Sequence, residues 1–522
     1  MVQVIEHRPR PLSPRGVAVA SMIGTAIEWY DFFVYGTSVV LVLGPLFFPA
    51  TDPLTSSLLA FSTFGVGFLV RPVGAAVLSH FGDRVGRRHA LVFSLLLMGG
   101  ATVGVGLLPT YAQVGVWAPV LLVLLRCAQG FAVGGEWGGA VLLAVEHAPA
   151  GRRAFYGSFP QYGTPIGLLG SSLAILLAQV MPEEAFLTWG WRLPFLGSIV
   201  LVAVGLWMRL RVHEAEEFSA LLRAGATSRR PVTEVLRAHW RTVLVGTAAT
   251  FVCHAAYLIT SFLPSYATTV LGGSPDAALL ALMTGSFVSI AVLAVVAWAA
   301  EARDRRRFVM LGAALSAAWV FPAFMLTSSA GALGLIIGVT VGLGVLMVQY
   351  AVLPALLADQ FPVHVRYSGI SLCFQTSAVL GGGLLPIVAS WLVSGVEGKY
   401  WPAAVLMVLA GGVSVLGAAA CRTTGSGPPE RPRPGSEPLL SADRVEHVEP
   451  RCAASREHAR EESGEGGNRD DRGESSGRDV QRDGRRAAQG GDHQGGEAKA
   501  DHDPEGDRER RHQDRLSANH PP

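Results

Sequence analysis

Two apolar stretches of the 522-residue chain carry ionisable side chains at helical spacing. Residues 24–36 read GTAIEWYDFFVYG and residues 126–140 read RCAQGFAVGGEWGGA. In the first, Glu28, Asp31 and Tyr35 stand at i, i+3 and i+7 and share one helical face. In the second, Arg126, Gln129, Val133 and Glu136 form one stripe. Gly130, Gly134 and Gly138 beside it form a ridge of small residues that lets another backbone approach. Together with Arg71, these segments place five ionisable groups in apolar surroundings: Glu28, Asp31, Arg71, Arg126 and Glu136. Each costs at least about 2.5–3.5 kcal/mol in a bilayer on insertion scales, so each marks a site. Three carboxylates against two guanidiniums leave one acid unmatched, and an unmatched buried carboxylate can carry a proton. Arginine keeps its proton and suits a carboxylate ligand. We therefore read Asp31, Glu28 and Glu136 as proton-coupling groups. Arg126 and Arg71, with Tyr35, Gln129 and Gln161, are read as ligand-binding groups. The alternative is that the five charges pair among themselves and hold helices together.

The elements that must position these groups follow from composition. Hydrophobic residues make up 50% of the chain and charged ones 16%, with mean hydropathy +0.37. Residues 421–522 hold 40 of the charges, so only 10% of residues 1–420 are charged. Such a body is a multi-span membrane protein rather than a soluble core. Apolar runs fall at roughly 16–48, 57–81, 90–109, 116–144, 155–180, 193–210, 242–270, 278–300, 308–327, 330–357, 368–393 and 402–420. They are continuous rather than alternating, so the expected fold class is all-α, with twelve transmembrane helices. With a cytoplasmic N-terminus, 20 bases lie in inside loops and two, Arg192 and Lys399, outside. That split predicts cytoplasmic N- and C-termini.

The expected organisation is a cytoplasmic segment 1–16, a six-helix half 17–210, a central cytoplasmic loop 211–241, a second six-helix half 242–420, and a charged tail 421–522. A weak repeat supports the division: HFGDRVGRR at 80–88 is echoed by EARDRR at 301–306, with Asp83/Glu301, Arg87/Arg305 and Arg88/Arg306 sharing one offset. Repeated halves around a long loop are the plan of a secondary transporter, with its site near midplane. Helical rise places Glu28, Arg71 and Glu136 about 12–16 Å from the cytoplasmic ends, Asp31 at about 21 Å and Arg126 at about 27 Å. The expected arrangement is a lower cluster, Glu28–Arg71–Glu136, and an upper pair, Asp31–Arg126. His254, near Tyr257, reads as a packed or hydrogen-bonded residue.

The loop HFGDRVGRR resembles the signature between spans two and three of the major facilitator superfamily. With GTAIEWYDFFVYG, RPVG at 71–74, RCAQGFAVGGEWGGA and QFPVHVRYSGIS at 360–371, residues 16–420 look more specifically like the metabolite:proton symporter family. The resemblance implies a bacterial inner-membrane carrier that moves small polar metabolites with protons by alternating access. Substrates in that family include di- and tricarboxylates, 2-oxoglutarate, shikimate, and proline or betaine. It implies that Asp83, Arg84, Gly86, Arg87 and Arg88 form a gating loop, a charge-assisted latch between halves. Glu146, Arg152 and Arg153 look like a further part of that latch. Asp31 and Arg126 match positions where related sugar carriers place a proton-accepting acid and its Arg partner. Ser79 stands where the signature usually begins with Gly, and the second loop carries Glu301, Ala302 and Asp304 in place of Asp, Arg and Gly. The second-half latch is therefore expected to be weak. Span five, GSFPQYGTPIG, lacks the pattern of drug:proton antiporters.

The tail contains no aromatic residue and few aliphatic ones, so it is expected to be disordered. Its charge is mixed, which argues against a nucleic-acid partner. Arg-rich composition, with Lys399 and Lys499 the two lysines, is that of an extension under little selection. Five scattered cysteines exclude a disulfide scaffold. No metal-ligand spacing, nucleotide loop or nucleophile elbow is found, so no cofactor, metal or enzymatic activity is expected. The reading is a monomeric, proton-driven symporter importing a small carboxylate-bearing metabolite. Its rivals are an uncoupled facilitator or exchanger of the same fold and a transporter-like membrane sensor.

Overall fold

A computed structural model describes residues 12–49 and 53–422. Residues 423–522 of the tail and most of the N-terminal segment 1–16 lie outside the described residues. Among those described, eleven helices are long and apolar enough to cross a bilayer. They are α1 (Pro14–Ser38), α2 (Pro53–Val85), α3 (Arg87–Leu107), α4 (Trp117–Glu146), α5 (Phe159–Gln179), α6 (Arg192–Arg209), α7 (Trp240–Thr269), α8 (Pro275–Ala299), a 54-residue helix Arg305–Ala358, then Val363–Ser394 and Trp401–Ala420.

The 54-residue segment is two spans. At about 1.5 Å per residue it would be some 80 Å long, far beyond a hydrocarbon core of about 30 Å. It reverses at Gly331, whose φ of 58° suits glycine and few other residues. Trp319 Nε1 donates to the Gly338 carbonyl at 2.9 Å across the resulting hairpin. We label its arms α9 (305–330) and α10 (332–358), and the last two helices α11 and α12, giving the twelve spans expected.

Packing follows the small residues. A Cβ at Gly130 would strike the Gly67 carbonyl and one at Gly134 the Arg71 carbonyl, so α2 and α4 cross backbone to backbone. The third residue of that ridge, Gly138, faces Ser371 and Tyr367 of α11 instead. Gly163 and Gly167 seat α5 on Thr25–Tyr30 of α1, and Gly417 seats α12 on Ala248 and Ala249 of α7. The principal pairings in the first six helices, α1 with α5, α2 with α4 and α3 with α6, recur in the second six as α7 with α11, α8 with the α9–α10 hairpin, and that hairpin with α12. The two sets meet where α2 and α4 pack on α11 and α5 packs on α8. Large apolar side chains such as Leu177, Val200, Trp298 and Leu416 point outward, as a lipid-facing surface requires.

The segment between α6 and α7 is more ordered than a plain loop. It holds two short amphipathic helices, Glu216–Arg223 and Pro231–Ala238. Phe218 of the first is fully buried, with the Arg87 guanidinium 4.6 Å from its ring.

Candidate functional site

All five sequence-predicted charges are buried in the first six helices, but their partners differ from the expected ones. Glu136 pairs with Arg209 at the end of α6, not with Arg71. Ser94 Oγ donates to Glu136 Oε2 at 2.7 Å, and Arg209 also donates to the Leu91 carbonyl at 2.5 Å. Gly24 makes room for this guanidinium, since a Cβ there would collide with it. Counted by sequence as a loop base, Arg209 is 3% exposed. The buried set is thus three acids and three guanidiniums, which removes the charge-count argument for one unmatched acid. Its place inside the apolar run 193–210, directly before Leu210, was the available signal.

The expected lower cluster is therefore split. Glu28 lies near Arg71 and Glu136, but its Oε2 has no hydrogen-bond partner. Between Glu28, Ser94 and Glu136 lies a cavity of about 10 Å³, room for about one water. Arg71 instead rests over Phe68, 4.1 Å from its centroid, and 5.0 Å from that of Phe32.

The expected upper pair does not form either. Asp31, fully buried, accepts a hydrogen bond from Ser198 of α6, and its Oδ2 has no partner. Arg126 donates to Gln129 Oε1 at 2.8 Å and lies 3.8 Å from the Tyr35 ring centroid. Gln129 Nε2 in turn donates to Thr102 Oγ1 at 2.8 Å, and Thr102 neighbours Asp31. Tyr35 hydrogen-bonds Thr63. Arg126, Gln129 and Tyr35 are thus brought together, and Asp31 is linked to them through uncharged groups.

Gln161 bridges the halves. It accepts from Trp137 Nε1 at 2.9 Å and donates to the Tyr350 carbonyl at 3.0 Å. Trp137 stacks on Phe374 of α11 with centroids 3.6 Å apart. Tyr367 OH donates to the Gly135 carbonyl at 2.6 Å and Gln375 Nε2 to that of Val133 at 3.2 Å, closing α4 against α11. His254 is the satisfied residue expected, its Nδ1 2.9 Å from Ser377 Oγ.

At the face carrying the basic loops, the halves are joined by two matching sets of contacts. In one, Asp83 accepts from the backbone N–H groups of Tyr367 (3.3 Å) and Ser368 (2.8 Å) at the start of α11. Arg87 pairs with Glu146, which Arg366 reaches from the other half at 3.0 Å. In the other, Glu301 accepts from Phe155 N at 2.5 Å, and Arg305 pairs with Asp359, which Arg153 reaches from the first half at 3.3 Å. The second set, expected to be weak, matches the first contact for contact. Glu301 supplies the carboxylate that Asp83 supplies, and a backbone N–H accepts either. Partial burial raises the Glu301 pKa above the ordinary carboxylate value, against the pull of Phe155 N–H, Arg305 and Arg152.

Other members of the predicted loop act elsewhere. Arg88 donates to the Leu210 carbonyl at 2.7 Å, and its backbone N–H donates to Glu214 at 2.8 Å. Gly86, at φ 133°, starts α3 in a conformation that favours glycine. Arg84 and Arg152 are exposed. Sequence reasoning missed Asp359 and Arg366, whose only signal was a charge at the end of a span. Glu217 of the segment between the halves completes the set, 3.6 Å from Arg366 and 3.9 Å from Arg153.

Asp359→Asn is expected to loosen this junction as much as Asp83→Asn. Pulsed electron resonance between spin labels on cysteines placed at exposed Arg84 and Arg303, in a chain without its native cysteines, would read it. Both substitutions should enlarge the long-distance population; an unchanged distribution in Asp359→Asn would show that the second set holds nothing.

Twelve apolar helices in two matching sixes, with buried charges near their centre and ionic contacts between them, define a multi-span membrane carrier. The Major Facilitator Superfamily profile matches residues 18–372, and the chain belongs to that family. It is 40% identical over 395 residues to the inner membrane metabolite transport protein YhjE of Escherichia coli K12, covering 74% of this chain and 90% of that protein. It is 38% identical to the shikimate transporter of the same organism (76% and 92% covered) and 35% identical to a proline/betaine transporter of Salmonella typhimurium (76% and 81%). These relatives are transporters, not enzymes. Among solved structures, the proton:xylose symporter XylE bound to 6-bromo-6-deoxy-D-glucose superposes with a TM-score of 0.67 at 18% identity, covering 79% of this chain and 97% of that one. That likeness shows the shared fold.

Proposed function

We propose that this carrier is a proton-coupled symporter of the bacterial inner membrane that imports a small carboxylate-bearing metabolite by alternating access. The observation that carries the proposal is Asp31: a fully buried carboxylate with no cation paired to it, bonded by Ser198 and neighboured by Thr102, its Oδ2 without a close partner. A carboxylate so placed gains from binding a proton. Glu28 also has an unpartnered carboxylate oxygen, whereas both oxygens of Glu136 are taken by Arg209, and Glu136 positions helices. Arg71 and Arg126 supply positive charge for a substrate carboxylate, and shikimate and proline, named for the relatives, each carry one.

The distribution of loop bases supports cytoplasmic termini and an ionic junction on the same side. The junction is formed here, so this is the conformation closed to that side. No resident cofactor enters the mechanism; the proton gradient drives it.

The test is uptake of labelled citrate, succinate, 2-oxoglutarate, shikimate, proline and betaine into proteoliposomes, with and without an inward proton gradient. Gradient-dependent accumulation of one of them is expected. Equilibration to the same level under both conditions would make the protein an uncoupled facilitator.

A further inference from the structure

We infer that the substrate carboxylate is clamped between the two halves by Arg71 and Tyr257, and that the site takes a molecule with a single carboxylate, a monoanion or a zwitterion. This rests on the reading of the chain as a carboxylate carrier and names its binding residues.

Arg71 belongs to α2 and Tyr257 to α7, on opposite sides of the junction between the halves. The Arg71 guanidinium lies against Phe68, and Phe68 meets Tyr257 edge-on with centroids 5.7 Å apart. Gly382 of α11 lies against both rings, where a Cβ would come within 3.1 Å of each. Both second-half elements are locally widened into π-helical turns there, at Leu258–Phe262 and Ala378–Leu384, a distortion frequent at functional sites.

Arg71 Nε and Glu28 Oε2, both buried, lack hydrogen-bond partners, and the Tyr257 hydroxyl stands beside the Arg71 guanidinium with no other partner. Glu28 and Tyr257 are the groups of opposite charge or polarity that act most strongly on Arg71. A guanidinium N–H and a phenolic O–H are donors, and a carboxylate offers two acceptor oxygens to match them.

Of the other two buried guanidiniums away from the ionic junction, Arg209 is paired with Glu136 and Arg126 is placed differently. Arg126 is engaged by Gln129 and lies over Tyr35, both of the first half, so a ligand there would not bridge the halves. A ligand on Arg71 and Tyr257 touches both, and its binding is thereby tied to their closure. The clamp sets the class. It holds one guanidinium and one phenol, which a single carboxylate satisfies, so a second carboxylate would find no further cation there and would meet a like charge whenever Glu28 is ionised.

The test uses the full-length protein in proteoliposomes with labelled shikimate, proline and glycine betaine, each challenged with excess unlabelled succinate or citrate. We expect uptake of at least one probe, undiminished by either competitor. Arg71→Ala should lower kcat/KM by about 100-fold at equal membrane abundance, and Tyr257→Phe should raise KM by about 10-fold with little change in kcat, the sign of lost ground-state binding. Gradient-driven uptake that survives Arg71→Ala would overturn the clamp while leaving the symporter standing. Strong competition by succinate or citrate would overturn the single-carboxylate class. Uptake of none of the three would overturn the single-carboxylate clamp, and the carboxylate reading would then fall only if citrate, succinate and 2-oxoglutarate were refused as well. If Arg71→Ala fails to reach the membrane, Tyr257→Phe decides, and an unchanged KM defeats the proposal.

Discussion

Glu136→Gln is expected to destabilise the protein by about 3–5 kcal/mol, the cost of leaving one member of a buried ion pair without its partner. The partner is Arg209, whose side chain is 4% exposed and which reaches both carboxylate oxygens. Gln offers one acceptor where the carboxylate offers two, and no charge. Removing both charges is a different matter. A buried pair exchanged for apolar residues of similar volume is often neutral or stabilising, so Glu136→Leu with Arg209→Met should recover most of the loss. Thermal unfolding in detergent of the wild type, Glu136→Gln and the double variant reads this directly. A Glu136→Gln protein that melts with the wild type would mean the pair contributes no net stability, and the helix-positioning role assigned to Glu136 would fail.

The history of that pair shows what a sequence can and cannot convey here. Span number and order were legible, because apolar length alone identifies a crossing helix. The small-residue ridge was legible as well: Gly130 and Gly134 do lie on α2. Arg209 was not, since it is the first base of a run that continues into the loop. Composition cannot say that its side chain turns inward while Arg211 lies against Trp207, 3.8 Å from the ring centroid. The pairing of Asp31 with Arg126 failed for a related reason. Spacing gives the face of each helix but not the rotation of one helix against its neighbour, and Asp31 faces α6 rather than α4.

The second-half junction was misread by letter rather than by chemistry. Of the three altered positions, Ala302 replaces the counterpart of Arg84, which is exposed. Asp304 replaces the counterpart of Gly86, and its φ of −64° has no need of glycine; its side chain caps α9 by accepting from Arg306 N at 3.0 Å. The third, Glu301, keeps the carboxylate. What joins the halves is retained, and what varies is not in the joint.

Asp31→Asn is expected to abolish proton-driven accumulation while retaining exchange of substrate across the membrane. Asn is nearly isosteric and its carbonyl can still accept from Ser198, so the local helix packing should persist. Its amide adds a donor where Oδ2 has no partner, a cost of about 1–3 kcal/mol if it stays unsatisfied, which leaves a folded carrier to assay. What it cannot do is take up or release a proton. Asp31 is linked to Arg126 through Thr102 and Gln129, so on the proposed mechanism its protonation would act by reorienting hydroxyl and amide groups rather than by breaking an ion pair. The same relay predicts that Gln129→Leu weakens coupling in part, with Asp31 untouched. Counterflow, in which labelled substrate exchanges against an internal unlabelled pool with no gradient, isolates translocation from coupling. Retained counterflow with lost accumulation is the expected result. Full gradient-driven uptake by Asp31→Asn would move the coupling role to Glu28, the other buried carboxylate with an unpartnered oxygen.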